Sequence, residues 1–252
     1  MNRLEYLTRL NGQKHDALPR PMQRRISETE LIVNVIEPGT PPEVMFNVFL
    51  RINTGGMTLN GQEIRHALNP GPVRDYLKLL AQSSEFKKAT HHSIKELRMA
   101  DRECVLRFLA FYIDPPDKYA TNDLDGYLGK VMKKINKMSL DDRDSLTTDF
   151  KKAMCAASDI FGRYAFRKRI SMHDRRRPVS KALFESWSVQ LARCSPEQMR
   201  VLIKKREDVQ RRFIQLMSED DDFNNAISYS TGTPRRVRKR FQAIKQLVEE
   251  FI

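Results

Sequence analysis

Only one stretch of this chain carries a clear strand signal, and almost everything after it reads as helix. Leu31-Ile32-Val33-Asn34-Val35-Ile36 is apolar and β-branched, and Glu37-Pro38-Gly39 stops it. A lone strand leaves its backbone groups unpaired, so it needs partners. Residues 3–18 offer only weak ones. The sheet is expected to be very small, or its other strands lie outside this sequence.

Downstream, Thr40-Pro41-Pro42-Glu43 has a capping hydroxyl, first-turn prolines and an early acid. Val44, Phe46, Val48, Phe49 and Ile52 then supply an apolar face, and Thr54-Gly55-Gly56 ends that helix. A second helix starts at Asn60 and runs to about Leu68, where Asn69-Pro70-Gly71-Pro72 breaks it. Periodicity predicts further helices over 72–82, 100–113, 122–137, 140–162, 179–193, 196–217 and 234–250, with a short one over 22–28. Asp101, Thr121 and Ser139 are candidate caps, and Ser195-Pro196-Glu197 and Thr233-Pro234 open the last two helices. Residues 163–178, with Arg163, Arg167, Lys168, Arg169, Arg175, Arg176 and Arg177, read as a basic, irregular linker. The expected fold is mainly α with a small α+β N-terminal part. It divides into 1–70, a helical subdomain over 71–165, and a basic helical subdomain over 166–252.

A net charge of +13 over 252 residues points to an anionic partner, nucleic acid first. Cys104, Cys155 and Cys194 stand far apart with no CxxC pair, which supports reduced cytosolic thiols rather than a disulfide framework or a zinc site. His91-His92 lacks the cysteines and acids of a metal site and reads as a polar loop. No apolar run follows Met1, and Val105 to Ile113 is too short to span a bilayer. The expectation is a soluble, cytoplasmic protein without membrane contact and without a metal site.

The most unusual local string runs from Phe46 to Arg65. It joins an amphipathic helix to a glycine loop and then to a capped helix. Such a junction offers backbone N–H groups and a helix N-terminus to an anion, with Arg51 and Asn53 beside it. The plainer reading is that Gly55 and Gly56 close a helix while the arginines pair with Glu43 or Glu63. No Walker-type glycine loop is present.

Arg51-Ile52-Asn53-Thr54-Gly55-Gly56, followed by Leu59-Asn60 and Gln62-Glu63-Ile64-Arg65, resembles a signature of a bacterial family. That family includes the N-terminal half of the GmrSD modification-dependent restriction endonucleases. Arg98 to Glu103, Arg107-Phe108-Leu109, Lys181 to Glu185, and Ser230-Thr231-Gly232 with Arg238, Arg240 and Phe241 resemble its later parts. The resemblance implies a ParB- and sulfiredoxin-like nucleotidase domain in a restriction or phage-defence protein, using a nucleoside triphosphate with a divalent cation. It implies a nucleotide cleft lined by Arg51, Asn53, Thr54, Gly55 and Gly56, with Glu63 and Arg65 behind it as a supporting pair. It also implies DNA as a partner and an HNH-type nuclease as a further partner or fused domain. The family's upstream Asp-Gly-Gln-Gln-Arg motif does not occur here. The chain is therefore expected to be an N-terminally shortened remnant, inactive by itself, with the missing strands explaining the orphan at 31–36.

Two basic runs are dense enough to neutralise several phosphates: Arg175-Arg176-Arg177, and Arg235, Arg236, Arg238 and Lys239. Arg235, Arg238 and Lys239 share one helical stripe, opposite Phe241, Ile244, Leu247, Val248 and Phe251. Their nearest acids in sequence, Glu249 and Glu250, are too distant to pair with them fully. Trp187 sits among apolar residues and reads as core rather than as a platform for bases. The alternative function is a non-enzymatic DNA-binding or adaptor protein.

Overall fold

The computed structural model describes residues 5–33, 35, 37, 39–41, 44, 45, 47, 48, 51 and 58–252. Among them the chain is mainly helical, as its periodicity predicts, and no strand forms. Leu31, Ile32, Val33 and Val35 lie outside regular structure and are exposed, while Asn34 and Ile36 fall outside the described residues. This corrects the expected strand. A β-branched run becomes a strand only when neighbours take up its hydrogen bonds, and no described segment does so.

The chain forms two compact units, Met1–Pro41 and Pro42–Ile252. The first holds two 3-10 turns, Thr8–Leu10 and His15–Ala17, and helix α1, Arg20–Ser27. Pro21 sits in the first turn of α1, where a missing N–H costs nothing. Among the described residues of this unit Leu10 and Leu18 are buried, and Gln23 Nε2 donates to the Leu18 carbonyl at 2.9 Å.

In the second unit Val44, Met45, Asn47, Val48 and Arg51 are helical, as expected there, and the other residues of 44–52 lie outside the described residues. Beyond it come α2 (Gly61–Leu68), α3 (Val73–Gln82), α4 (Ser84–Thr90), α5 (Ala100–Ile113), α6 (Leu124–Asn136) and α7 (Leu140–Phe161). After the segment 163–178 follow α8 (Lys181–Arg193), α9 (Pro196–Lys204), α10 (Arg206–Glu219), α11 (Asp221–Ala226) and α12 (Pro234–Glu249). Side-chain caps fix many of the starts. Ser139 accepts from Asp142 N, and Ser195 and Gln198 complete a capping box on α9. Asp101 is not a cap; it lies buried in the first turn of α5, which begins after Met99 in the left-handed region. Asp123 caps α6, with Thr121 accepting from Asp123 N.

α8 is buried on all sides, so it forms the axis of the bundle. It packs against α5, α7 and α12, and α7 also packs against α4. Ring contacts tie these layers together. Phe184 meets Phe86 at 5.8 Å and Phe166 at 4.6 Å, and Phe108 meets Phe150 at 5.0 Å. One hydrophobic core runs from Val73 to Val248 and continues across the expected boundary at 165/166.

The segment 163–178, expected as a basic, irregular linker, is irregular beyond the turn Gly162–Tyr164, but it is packed into the bundle. Ala165, Phe166, Arg167 and Arg169 are buried. Arg167 donates to the Thr90 carbonyl at 3.0 Å, to Ser93 Oγ at 2.6 Å and to the Arg177 carbonyl at 2.5 Å, and an isolated bridge joins it to Val179. A guanidinium with five donors can pin irregular backbone that lacks a ladder of its own. No helix among the described residues is long and apolar enough to cross a membrane.

Candidate functional site

Helix α2 carries the residues around which the site is built. Asn60 Oδ1 accepts from Gln62 N and Glu63 N, and Glu63 Oε2 accepts from Asn60 N at 2.7 Å, a complete capping box. Arg98 then closes the arrangement. It donates to Glu63 Oε2 at 3.0 Å and to the Thr58 carbonyl, while its own carbonyl accepts from Asn60 Nδ2 at 2.8 Å. Arg98 and Met99 both have positive φ, a strained geometry held in place by these bonds.

Glu63 and Arg65 therefore do not form the expected pair. Arg65 turns the other way, bonding Asp125 on α6 and Gln62 Oε1 at 3.0 Å. It is 2% exposed. Burial pushes its guanidinium below the usual value, against the opposing pull of Asp125 and Glu103.

Hydrogen bonds from Arg98, then from the Asn60 backbone, hold the Glu63 carboxyl below the usual carboxylate range. A depressed carboxylate stabilises the fold above its unfolded value, and that contribution disappears as pH falls through the folded value. The melting-temperature gap between the protein and Glu63→Gln is expected at pH 7 and should close below about pH 4. A gap that persists at lower pH would show that packing, not charge, carries it.

A cavity of about 340 Å³ opens between α2 and α6. Arg65, Leu68 and Asn69 form one wall, and Met45 and Asn47 also border it. The opposite wall is a single face of α6: Gly126, Gly129, Lys130 and Lys133, spaced i, i+3, i+4 and i+7, with Asp123 and Asp125 at its start. The two glycines differ in cause. A Cβ on Gly126 would stand 2.1 Å from Asp123 Oδ2, so a side chain there would require that carboxylate to shift. A Cβ on Gly129 would meet nothing within 4 Å. Glycine inside a helix costs roughly 0.5–1 kcal/mol relative to alanine, and among the described residues no neighbour of Gly129 explains it.

α2 and its C-cap carry three unsatisfied polar atoms, of which only that of Asn69 belongs to the cavity wall. Gln62 Nε2 and His66 Nδ1 on the helix and Oδ1 of its C-cap Asn69 are buried without hydrogen-bond partners among the described residues. Each such atom costs about 1–3 kcal/mol. Asn69 lines the cavity, and its amide donates to the Arg65 carbonyl at 2.8 Å.

Behind Arg65 runs a buried chain of charge. Glu103 accepts from Arg107 Nε at 2.9 Å and from Lys181 at 2.5 Å. Arg107 reaches Glu185 at 3.1 Å, and Arg240 Nε donates to the other Glu185 oxygen at 2.8 Å. Burial alone would lower the Arg107 guanidinium, but Glu185 and Glu103 together raise it. Glu103, Arg107, Lys181, Glu185 and Arg240 all belong to the separate stretches on which the family resemblance rests.

Of the residues expected at a nucleotide cleft, Asn53, Thr54, Gly55 and Gly56 lie outside the described residues, and Arg51 is helical and exposed. Of the basic runs, Arg175 and Arg176 are exposed, and Arg177 pairs with Asp174 at 3.3 Å. On α12 the expectation that acids are too distant is corrected. Asp220 reaches Lys239 at 2.7 Å and Asp222 lies 3.9 Å from Arg235, both brought in by α11. Arg236 donates to the Tyr229 carbonyl and Arg238 to that of Tyr119 at 3.4 Å. Among the described residues no three His, Cys, Asp or Glu side chains gather as a metal site.

No protein family, no curated protein and no solved structure matches this chain.

Proposed function

We propose that this chain is the nucleotide-binding, DNA-handling part of a GmrSD-like phage-defence protein, with the cavity between α2 and α6 receiving the nucleotide. The observation that carries this reading is an open cavity floored by Gly126 and Gly129 with the unsatisfied Oδ1 of Asn69 in its wall. Lys130 and Lys133 supply cations for phosphates at its edge. Asp123 and Asp125 each have one oxygen engaged, by Gly126 N and by Arg65 respectively. Their second oxygens suit a divalent cation that is otherwise held by phosphates, since such ions take one or two carboxylates alongside a triphosphate. Hydrolysis and DNA cleavage belong, in this reading, to an upstream Asp-Gly-Gln-Gln-Arg segment and an HNH-type nuclease.

The test is direct titration of the chain with a fluorescent nucleoside triphosphate and magnesium. Lys130→Ala with Lys133→Ala is expected to weaken binding by about tenfold or more, the scale of losing one or two charged hydrogen bonds. Absence of binding by the unmodified chain, or unchanged affinity in the double variant, overturns the assignment. The second reading, a non-enzymatic DNA-binding adaptor, draws on the exposed Arg175 and Arg176 and predicts DNA binding without any nucleotide response.

A further inference from the structure

Three cations meet in a second hollow, and only one of them, Arg163, belongs to a basic stretch singled out in the sequence. Lys88 at the end of α4, Arg163 just after α7 and Arg206 at the start of α10 line an open groove of about 580 Å³. All three are exposed, and none forms an ion pair with a described residue. The acids next to Arg206 are committed elsewhere, Glu207 and Asp208 reaching Arg211 at 3.1 and 2.8 Å. Asp159 is the one acid among the lining residues. Arg163 is steadied by Tyr164, donating to its hydroxyl at 2.9 Å with its guanidinium carbon 5.0 Å from the ring centroid. Arg169 lies 4.0 Å from the same centroid, which concentrates positive charge around one ring.

Tyr164, which lines the groove, leads into the segment that carries Arg175 and Arg176. Arg167 ties that segment to Thr90 and Ser93, so the exposed Arg175 and Arg176 rise from a fixed base, and the exposed His91 and His92 stand between the two anchor points. Arg167 also donates to the Arg177 carbonyl at 2.5 Å, which holds the backbone next to Arg176 against this base. Cations spread along an open surface on several elements suit a polyanion, because each meets a separate phosphate. Single-strand binding relies on rings free to stack with bases. Tyr164, the ring bordering this surface beside Arg163, is half-buried and already engaged by two arginines. A duplex backbone, which needs only charge, fits better. On α12, by contrast, Asp220 and Asp222 offset much of the charge.

We infer that the groove of Lys88, Arg163 and Arg206, extended by Arg175 and Arg176, is the surface that holds duplex DNA by its phosphates. The inference rests on the proposed DNA handling but not on the nucleotide cavity. It is tested by fluorescence anisotropy of a labelled duplex of about 20 base pairs, titrated with the full chain between about 50 and 200 mM salt. The unmodified chain should bind with a steep salt dependence. Lys88→Glu, Arg163→Glu and Arg206→Glu together should lower affinity at least tenfold and reduce the salt slope by about 3, one for each phosphate contact. The milder Lys88→Gln, Arg163→Gln and Arg206→Gln set should move the same way by less and guards against misfolding. Arg235→Glu with Arg238→Glu should have the smaller effect, and Lys130→Ala with Lys133→Ala should leave DNA binding intact whether or not it abolishes nucleotide binding. Unchanged affinity in the triple variants, a larger loss from the α12 pair, preference for single strands, or no duplex binding at all would each overturn it.

Discussion

Glu185→Ala is expected to be among the most damaging single substitutions in this protein, lowering stability by about 3–5 kcal/mol. Glu185 and Arg240 are both 0% exposed. One carboxylate there serves two guanidinium groups, Arg107 through one oxygen and Arg240 through the other. Removing it leaves a buried guanidinium with only backbone carbonyls, Thr231 at 2.7 Å and Ala226 at 3.4 Å, to compensate it. Desolvating a charge without its partner costs more than the intact pair contributes. For a chain of this size each kcal/mol moves the melting temperature by about 2–4 °C, so a fall of roughly 6–20 °C is expected by calorimetry. Glu185→Gln keeps the shape and one acceptor but loses the charge, and should fall between. The double variant Glu185→Leu with Arg240→Met removes both partners and should recover part of the loss. If the double variant is no better than Glu185→Ala, the two side chains are not energetically coupled and this account fails.

That pair also shows where a sequence stops being informative. Helix positions after residue 60 follow from caps and apolar periodicity: Asn60, Ser139 and Ser195 announce α2, α7 and α9, and α5 falls at the predicted 100–113. These signals are local. α9 and α10 were expected as one helix because Lys204-Lys205-Arg206 contains no glycine or proline, yet Lys205 leaves helical geometry (φ −92°, ψ 22°) between them. α4 and α11 are too short to show a period, and only their caps, Ser83 and Asp220, mark them. The partners of Glu185 and of Lys239 lie 55 and 19 residues away, and nothing local chooses them. The cavity left one trace in the sequence, glycines three residues apart inside a helix at Gly126 and Gly129, which is a poor helical choice without a reason beyond the helix. The run at 31–36 misled because β-branching records a preference for sheet, while the sheet itself must come from elsewhere in space.

Trp187→Ala is expected to cost about 3–5 kcal/mol, whereas Trp187→Phe should cost only about 1 kcal/mol. The ring is 1% exposed and packs edge-on against Phe161 at 4.7 Å and Phe213 at 5.5 Å, joining α7, α8 and α10. Alanine would leave a cavity in the middle of that aromatic cluster, at a point where three helices are held apart by their own contacts and cannot collapse. Phenylalanine keeps a ring in place and loses part of the volume. It also removes the indole Nε1, which is buried without a hydrogen-bond partner. An unsatisfied buried donor costs about 1–3 kcal/mol, and removing it offsets much of the lost packing. Urea unfolding of the two variants separates these contributions. A phenylalanine loss as large as the alanine loss would mean that the indole N–H has a partner after all. Because Trp187 is the only tryptophan, its fluorescence provides a second check. Emission should be blue-shifted, poorly quenched by acrylamide and unchanged by added DNA, as befits a ring that holds the bundle together and never meets a base.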